Sequence, residues 1–281
     1  MNYEHTASLS LKKALQERAW LGFLAIAFLG VFALAIAPAD LAAQAQYPDE
    51  QIIPDHVDKF TKTNWTRDRR WPRGDCGDLT DAYGRNLTDC SIPWPEVQVN
   101  ERGRAWLEYF DAQQSPTLSE CAAVTTPGIL GDVRPFSFLF KTDSLIINYE
   151  HAGIVRTVWM DGRRHPPPTD LFQHGHALAR WEGEELIIET QNFTWDPDGL
   201  DDHIHLAAST RKRVIERYSM VDDETMSIMI TYEDPVFLNA PITWEQRWVK
   251  EETPLDGWWE CNPKITRREI ENTYPDRYGN E

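Results

Sequence analysis

Positive charge is scarce in this chain. Only 28 Lys and Arg residues stand against 45 Asp and Glu residues, which gives a net charge of −17 over 281 residues. A surface this acidic repels phosphate backbones and anionic lipid head groups. The composition therefore argues against nucleic acid as a partner, although it does not select a ligand.

The familiar catalytic signatures are also missing. The sequence contains no G-x-S-x-G, no H-E-x-x-H, no P-loop and no G-x-G-x-x-G. These motifs mark serine hydrolases, zinc proteases, nucleotide-binding proteins and dinucleotide-binding proteins respectively. Without them, sequence motifs alone do not identify a reaction.

Long apolar runs are absent except at residues 20–36, WLGFLAIAFLGVFALAI. Lys12, Lys13 and Arg18 precede this run, and Ala43-Gln44-Ala45 follows it. A basic region, an apolar core and an A-x-A site in this order predict a secretory signal peptide over residues 1–45. We expect a periplasmic or secreted protein that contacts a membrane only if this segment stays uncleaved as an anchor.

Cysteine is rare, and all four cysteines lie after the signal. Four cysteines allow three pairings in an oxidising compartment. We favour Cys76–Cys90, which closes a compact local loop, together with Cys121–Cys261, which ties the end of the chain to the start of its strand region. A metal site is the competing interpretation, but C-x-x-C spacing is absent.

Strand patterns dominate the second half of the chain. Residues 46–120 are predicted to form an extended arm with one short helix at 101–112, and residues 121–281 an antiparallel β domain. The predicted strands cover residues 136–141, 144–150, 154–160, 176–180, 185–191, 209–218, 224–232, 242–250 and 258–261. Sequential antiparallel strands most simply close on themselves, which removes exposed edges. The predicted fold is a mostly β, lipocalin-like barrel, with a two-sheet sandwich as the alternative.

Histidines cluster between residues 151 and 205 and include two H-x-H pairs, His174 with His176 and His203 with His205. On a strand, both imidazoles of such a pair point to one face, about 7 Å apart. Two pairs brought together can offer three or four nitrogens to Zn²⁺ or Cu²⁺. The alternatives are a histidine-lined pocket without metal and ordinary loop histidines.

Charged residues form a second group of candidates. Arginines and acids alternate with apolar residues on the predicted strands, where they can clamp a ligand or form buried structural ion pairs. The candidate ligand-binding residues are Glu150, Arg156, Arg163, Arg180 and Trp181. For acid–base chemistry the candidate is His176, assisted by His165 or Glu182.

Several short motifs occur together between the third and fourth cysteines: Met160-Asp161-Gly162-Arg163 with His165-Pro166, Gly175-His176 with Arg180-Trp181-Glu182-Gly183, Glu216-Arg217-Tyr218, and Asp234-Pro235. In this combination the chain resembles a family of exported bacterial hypothetical proteins. The family pattern places a cysteine near each end of the stretch, which implies the pairing of Cys121 with Cys261. One departure is Ala208-Ser209, where the family pattern has a histidine before the serine. The resemblance implies organisation and no activity.

Three functions follow as expectations. The first is an exported barrel that binds a small apolar or aromatic molecule at a mouth lined by His and Arg. The second is an enzyme on the same scaffold, either metal-dependent or using histidine as general acid and base. The third is a structural protein of the cell envelope.

Overall fold

The computed structural model describes residues 54–72, 74–78, 86, 90–200, 204–256 and 261–273. The predicted signal peptide and His203 lie outside the described residues, as does most of the strand predicted at 258–261. None of the helices among the described residues has the length and apolarity needed to cross a membrane.

Nine strands form a closed barrel in chain order. They are β1 (Asn64–Arg67), β2 (Phe136–Phe140), β3 (Ser144–Tyr149), β4 (Val155–Trp159), β5 (His176–Glu182), β6 (Glu185–Gln191), β7 (Arg213–Met220), β8 (Thr225–Glu233) and β9 (Ile242–Glu251). The predicted mostly β barrel is therefore confirmed, and the alternative of a two-sheet sandwich is wrong.

In the part of the chain that the structure describes, four α-helices accompany the barrel. They are α1 (Glu101–Glu108), α2 (Pro116–Glu120), α3 (Gly128–Gly131) and α4 (Pro263–Thr273). The short helix predicted at 101–112 is α1, and the Asn100 side chain caps its start by accepting a hydrogen bond from the Gly103 amide. Helix α4 was not predicted.

Two features of the barrel differ from the predicted meander. Strand β1 comes from the segment predicted to be an arm, and it closes the barrel by pairing with both β2 and β9. Strands β4 and β5 pair in parallel, Val158 opposite Ala177. A parallel pair needs a long crossover connection, and residues 160–175 provide it by returning the chain to the end where β4 began.

Period-2 alternation decides which side chains face the barrel interior. On β8 the inward residues are Met226, Ile228, Ile230 and Tyr232, as the sequence pattern predicts, and all are buried. Aromatic side chains meet across the interior: the rings of Phe138 on β2 and Tyr218 on β7 are 5.5 Å apart. The interior of the barrel is thus a packed core.

Both predicted disulfides form. Cys76 and Cys90 have Cα atoms 5.3 Å apart, and Cys121 and Cys261 have Cα atoms 5.8 Å apart. The second bond joins the end of α2 to the residues that lead into α4. Beside it, Arg267 on α4 donates to the Ser119 carbonyl at 3.1 Å.

Candidate functional site

Two histidine-bearing loops meet at the end of the barrel where β5 begins. Phe172 and Phe193 form a β-bridge, with the Phe172 amide donating to the Asn192 carbonyl at 2.8 Å. The Asn192 side chain donates to the carbonyls of Pro166, Pro167 and Asp170. Asn192 takes a positive φ of 59°, which asparagine tolerates better than most residues. These contacts tie together the loops at residues 165–175 and 192–200, and we call this end of the barrel its mouth.

An aromatic cleft of about 840 Å³ opens beside helix α1. Its aromatic lining comprises Trp106, Tyr109, Phe110, Trp195 and Phe237, and its charged lining comprises Arg102 and Asp111. Tyr109 is 75% exposed and Trp195 is 46% exposed. The rings of Trp106 and Trp195 meet edge to face at 5.3 Å. The cleft is therefore a concave surface with aromatic faces open to solvent.

A histidine and a carboxylate lie next to this cleft. His205 is 7% exposed and stacks on Phe110 with ring centroids 4.4 Å apart. Its Nδ1 is 3.7 Å from an oxygen of Asp198, whose other oxygen accepts a hydrogen bond from Ser115. His205 has a φ of 59°, an unusual conformation for a residue other than glycine. A buried imidazole and a buried carboxylate therefore lie behind the aromatic wall of the cleft.

A polar network crosses the interior of the barrel. Arg156 on β4 forms two hydrogen bonds with Glu216 on β7, at 2.7 and 3.2 Å, and also donates to Tyr149 and Thr190. Burial opposes the charge on Arg156, but the Glu216 carboxylate outweighs it and holds the pKa of Arg156 well above its ordinary value. Burial raises the pKa of Tyr149 to about 12. Arg156 and Glu216 thus form a buried ion pair inside the barrel, and a ligand-binding role for Arg156 stays a prediction.

Lys212 and His174 lie closer to the mouth of the barrel than the Arg156 network does. Lys212 is 2% exposed, and its Nζ sits over the ring of Phe193, 4.5 Å from the centroid. Burial lowers the pKa of Lys212 to about 8, although Asp196 and Asp234 favour its charged form. Burial, reinforced by the positive charges of Arg156 and Lys212, lowers the pKa of His174 to about 4. His174 is therefore neutral near pH 7.

His165 and His176 are brought into contact on the outer side of the barrel. Their Nδ1 atoms are 3.0 Å apart, so the Nδ1–H of one ring donates a hydrogen bond to the Nδ1 of the other. Burial, with an added contribution from His176, lowers the pKa of His165 to about 4. Glu182 is not part of this pair: it lies at the other end of β5, about 20 Å along the strand, and bonds to Arg180 and Arg217.

The remaining candidate ligand-binding residues do not converge. Arg163 pairs with Asp161 and lies over the ring of Trp159. Arg180 pairs with Glu182 on the outer face. Glu150 accepts from the Asp256 amide. Trp181 packs with His56, Phe60 and Phe140 at the opposite end of the barrel from the mouth.

His174 and His176 do not share one face of a strand, and the arrangement of His203 with His205 stays a prediction. Gly175 has a φ of +72° and precedes the first residue of β5, so strand alternation does not apply to His174 and His176. His174 faces the charges of Arg156 and Lys212, whereas His176 faces those of Arg163 and Asp161. Within the described ranges, no group of three or more His, Cys, Asp or Glu side chains is placed to hold a metal ion. The zinc or copper site stays a prediction, because His203 lies outside those ranges.

Sequence reasoning missed Lys212 and the aromatic cleft. Lys212 precedes β7 by one residue and is in phase with its inward residues Val214, Glu216 and Tyr218. Counting back two residues from Val214 therefore identifies Lys212 as an inward-facing residue. The cleft joins Trp106 on α1 to Trp195 on a distant loop, and no local pattern links the two.

Comparisons with protein-family models, with curated proteins and with solved structures find no match to this chain.

Proposed function

We propose that this protein is an exported binding protein for a small, planar and uncharged aromatic molecule, which it holds in the cleft beside α1. The observation that carries the proposal is the cleft itself: about 840 Å³, with the rings of Trp106, Tyr109 and Trp195 around it. Pockets for small molecules typically have volumes of about 300–1,000 Å³ and mostly apolar walls.

The chemistry of the walls favours an aromatic ligand. Trp106 and Trp195 already meet edge to face, and a planar ring can add to this cluster by stacking or by edge contacts, each worth about 0.5–1.5 kcal/mol beyond its buried area. An aliphatic ligand of equal size gains only the burial of its surface. The net charge of −17 disfavours an anionic ligand.

The packed interior supports placing the ligand outside the barrel lumen. Inward side chains such as Trp65, Tyr218 and Tyr232 are 0 or 1% exposed. Emptying space for a ligand among them costs several kcal/mol for each large side chain displaced. The cleft requires no such displacement, because it is open in this structure.

Export is part of the same proposal. The signal-like segment at residues 1–45 supports it, and so do two disulfides, which persist in oxidising compartments.

Calorimetry on the mature protein tests the proposed binding. We expect indole and naphthalene to bind more tightly than cyclohexanol. Trp195→Ala should weaken indole binding at least tenfold. Phe172→Ala serves as the matched control, since Phe172 is 44% exposed and is not among the cleft residues. Equal affinity for aromatic and aliphatic probes, or equal effects of the two substitutions, would refute the proposal.

A further inference from the structure

Lys212 is a buried lysine at the barrel mouth, and its Nζ has no hydrogen-bond partner among the residues that the structure describes. The residue is only 2% exposed. Lysine is almost never fully buried unless it is paired. A buried ammonium without a hydrogen-bond partner costs stability, so its presence in this site points to a chemical role.

The neighbouring carboxylates are engaged elsewhere. Asp196 accepts from Thr125 and from the Asp198 amide. Asp234 accepts from Ser209 and Tyr232. They stabilise a positive charge at Lys212 through space and leave its nitrogen without a direct bond.

We propose that Lys212 is a carbonyl-reactive amine that binds a small aldehyde or ketone as an imine, with His174 carrying the protons. This site is separate from the aromatic cleft, and it would stand if cleft binding failed. Desolvated lysines are the amines that proteins use for imine chemistry.

The reaction balances in atoms and in charge. The Lys212 ammonium first releases one proton to solvent. The resulting neutral amine attacks the carbonyl carbon, a C–N bond forms, and a proton passes from the attacking nitrogen to the carbonyl oxygen to give a neutral carbinolamine. One proton taken back from solvent lets the hydroxyl leave as water, which breaks the C–O bond and leaves a protonated imine. Over the whole sequence the ammonium and the carbonyl compound become a protonated imine and water, so the single positive charge that Asp196 and Asp234 favour is kept.

His174 is suited to move the protons. Its Nδ1 is buried without a hydrogen-bond partner among the described residues, and the ring is neutral near pH 7. A neutral imidazole can accept the proton released by the attacking nitrogen and return it to the departing oxygen.

The mouth loop at residues 192–200 covers Lys212, and the proposal requires this loop to open. Phe193, which lies under the Lys212 nitrogen, also packs against the chain at Gly175, where an added Cβ would come within 2.7 Å of the Phe193 ring. The Asn192 side chain holds this loop through three carbonyls. A carbonyl compound reaches the amine when the loop opens.

Reductive trapping tests the proposal. The mature protein is incubated at pH 7 with benzaldehyde and cyanoborohydride, and alkylation of each lysine is followed by peptide mass spectrometry. With a pKa of about 8, Lys212 holds on the order of a hundredfold more neutral amine than an ordinary lysine. We therefore expect Lys212 to be alkylated at least tenfold faster than the exposed Lys59 and Lys62.

Variants separate reactivity from misfolding. Asn192→Gly keeps the left-handed backbone accessible and releases the loop, so it should speed labelling of Lys212 and leave Lys59 unchanged. His174→Gln should slow labelling at least fivefold. If Lys212 is labelled no faster than Lys59 in the folded wild type and in Asn192→Gly, the proposal is wrong. If His174→Gln has no effect, the proton-carrying role is wrong.

Discussion

Arg156 and Glu216 form a two-point ion pair across the barrel interior, with both side chains at most 1% exposed. Removing one partner of a buried pair leaves an uncompensated charge, which typically costs about 3–5 kcal/mol. Arg156→Met should therefore lower the free energy of unfolding by about that amount. Urea denaturation at pH 7 measures the change.

A second substitution distinguishes a paired charge from simple packing. Glu216→Gln in the Arg156→Met background removes the stranded carboxylate and keeps an acceptor for the Tyr218 hydroxyl, which bonds to Glu216 in the native protein. The double variant should recover at least half of the lost stability. Strictly additive losses would contradict the ion-pair account.

Lys212 should make stability depend on pH in the alkaline range. Its folded pKa of about 8 lies below its ordinary value of 10.5, so between these values the unfolded chain holds more protons. Stability then rises with pH across this window, by roughly 3 kcal/mol in total. Lys212→Met should have a higher free energy of unfolding than the wild type at pH 7, and this difference should disappear by pH 10.5. A difference that stays constant with pH would refute this account.

His174 should make the protein sensitive to mild acid. Its folded pKa of about 4 lies below its ordinary value of 6.5, so the unfolded chain takes up the proton first as the pH falls. The free energy of unfolding of the wild type should therefore fall by about 2 kcal/mol between pH 6.5 and pH 4. In urea denaturation, the free energy of unfolding of His174→Gln should depend less on pH over that interval than that of the wild type does. An unchanged slope would show that His174 does not titrate in this way.

The two disulfides should differ in their effect on stability. Cys121–Cys261 spans 140 residues and Cys76–Cys90 spans 14. Cross-linking a longer loop removes more entropy from the unfolded chain, on the order of 5 kcal/mol against about 3. The paired serine variants should therefore lower the thermal midpoint more for Cys121/Cys261 than for Cys76/Cys90. The reverse order would contradict this account of loop entropy.

The barrel was predictable because its strands carry their pattern locally. Strand β6 was predicted with its observed bounds, and alternation on β8 identified the inward residues. Strand β1 was missed because four residues in a Trp-rich segment give too short a pattern. Helix α4 had a usable signal in Asn262-Pro263, since Asn262 accepts from the Lys264 amide at its start.

The site was less predictable because it depends on tertiary contacts. The H-x-H spacing suggested that His174 and His176 share a face, but Gly175 turns the chain between them. Arg156 was identified as a candidate, yet its network with Glu216 needed the register of the barrel. The cleft joins Trp106 and Trp195, which are far apart in the sequence.

NMR spectra of the mature protein, with its tryptophan indoles labelled with ¹⁵N, test most directly whether the cleft binds an aromatic ligand. Titration with unlabelled indole should shift the indole N–H signals of Trp106 and Trp195, and Trp195→Ala should remove the response at Trp106. Trp65 and Trp181, which lie elsewhere in the barrel, should stay unchanged. Shifts confined to Trp65 and Trp181, or no saturable shift at Trp106, would contradict a ligand site in the cleft.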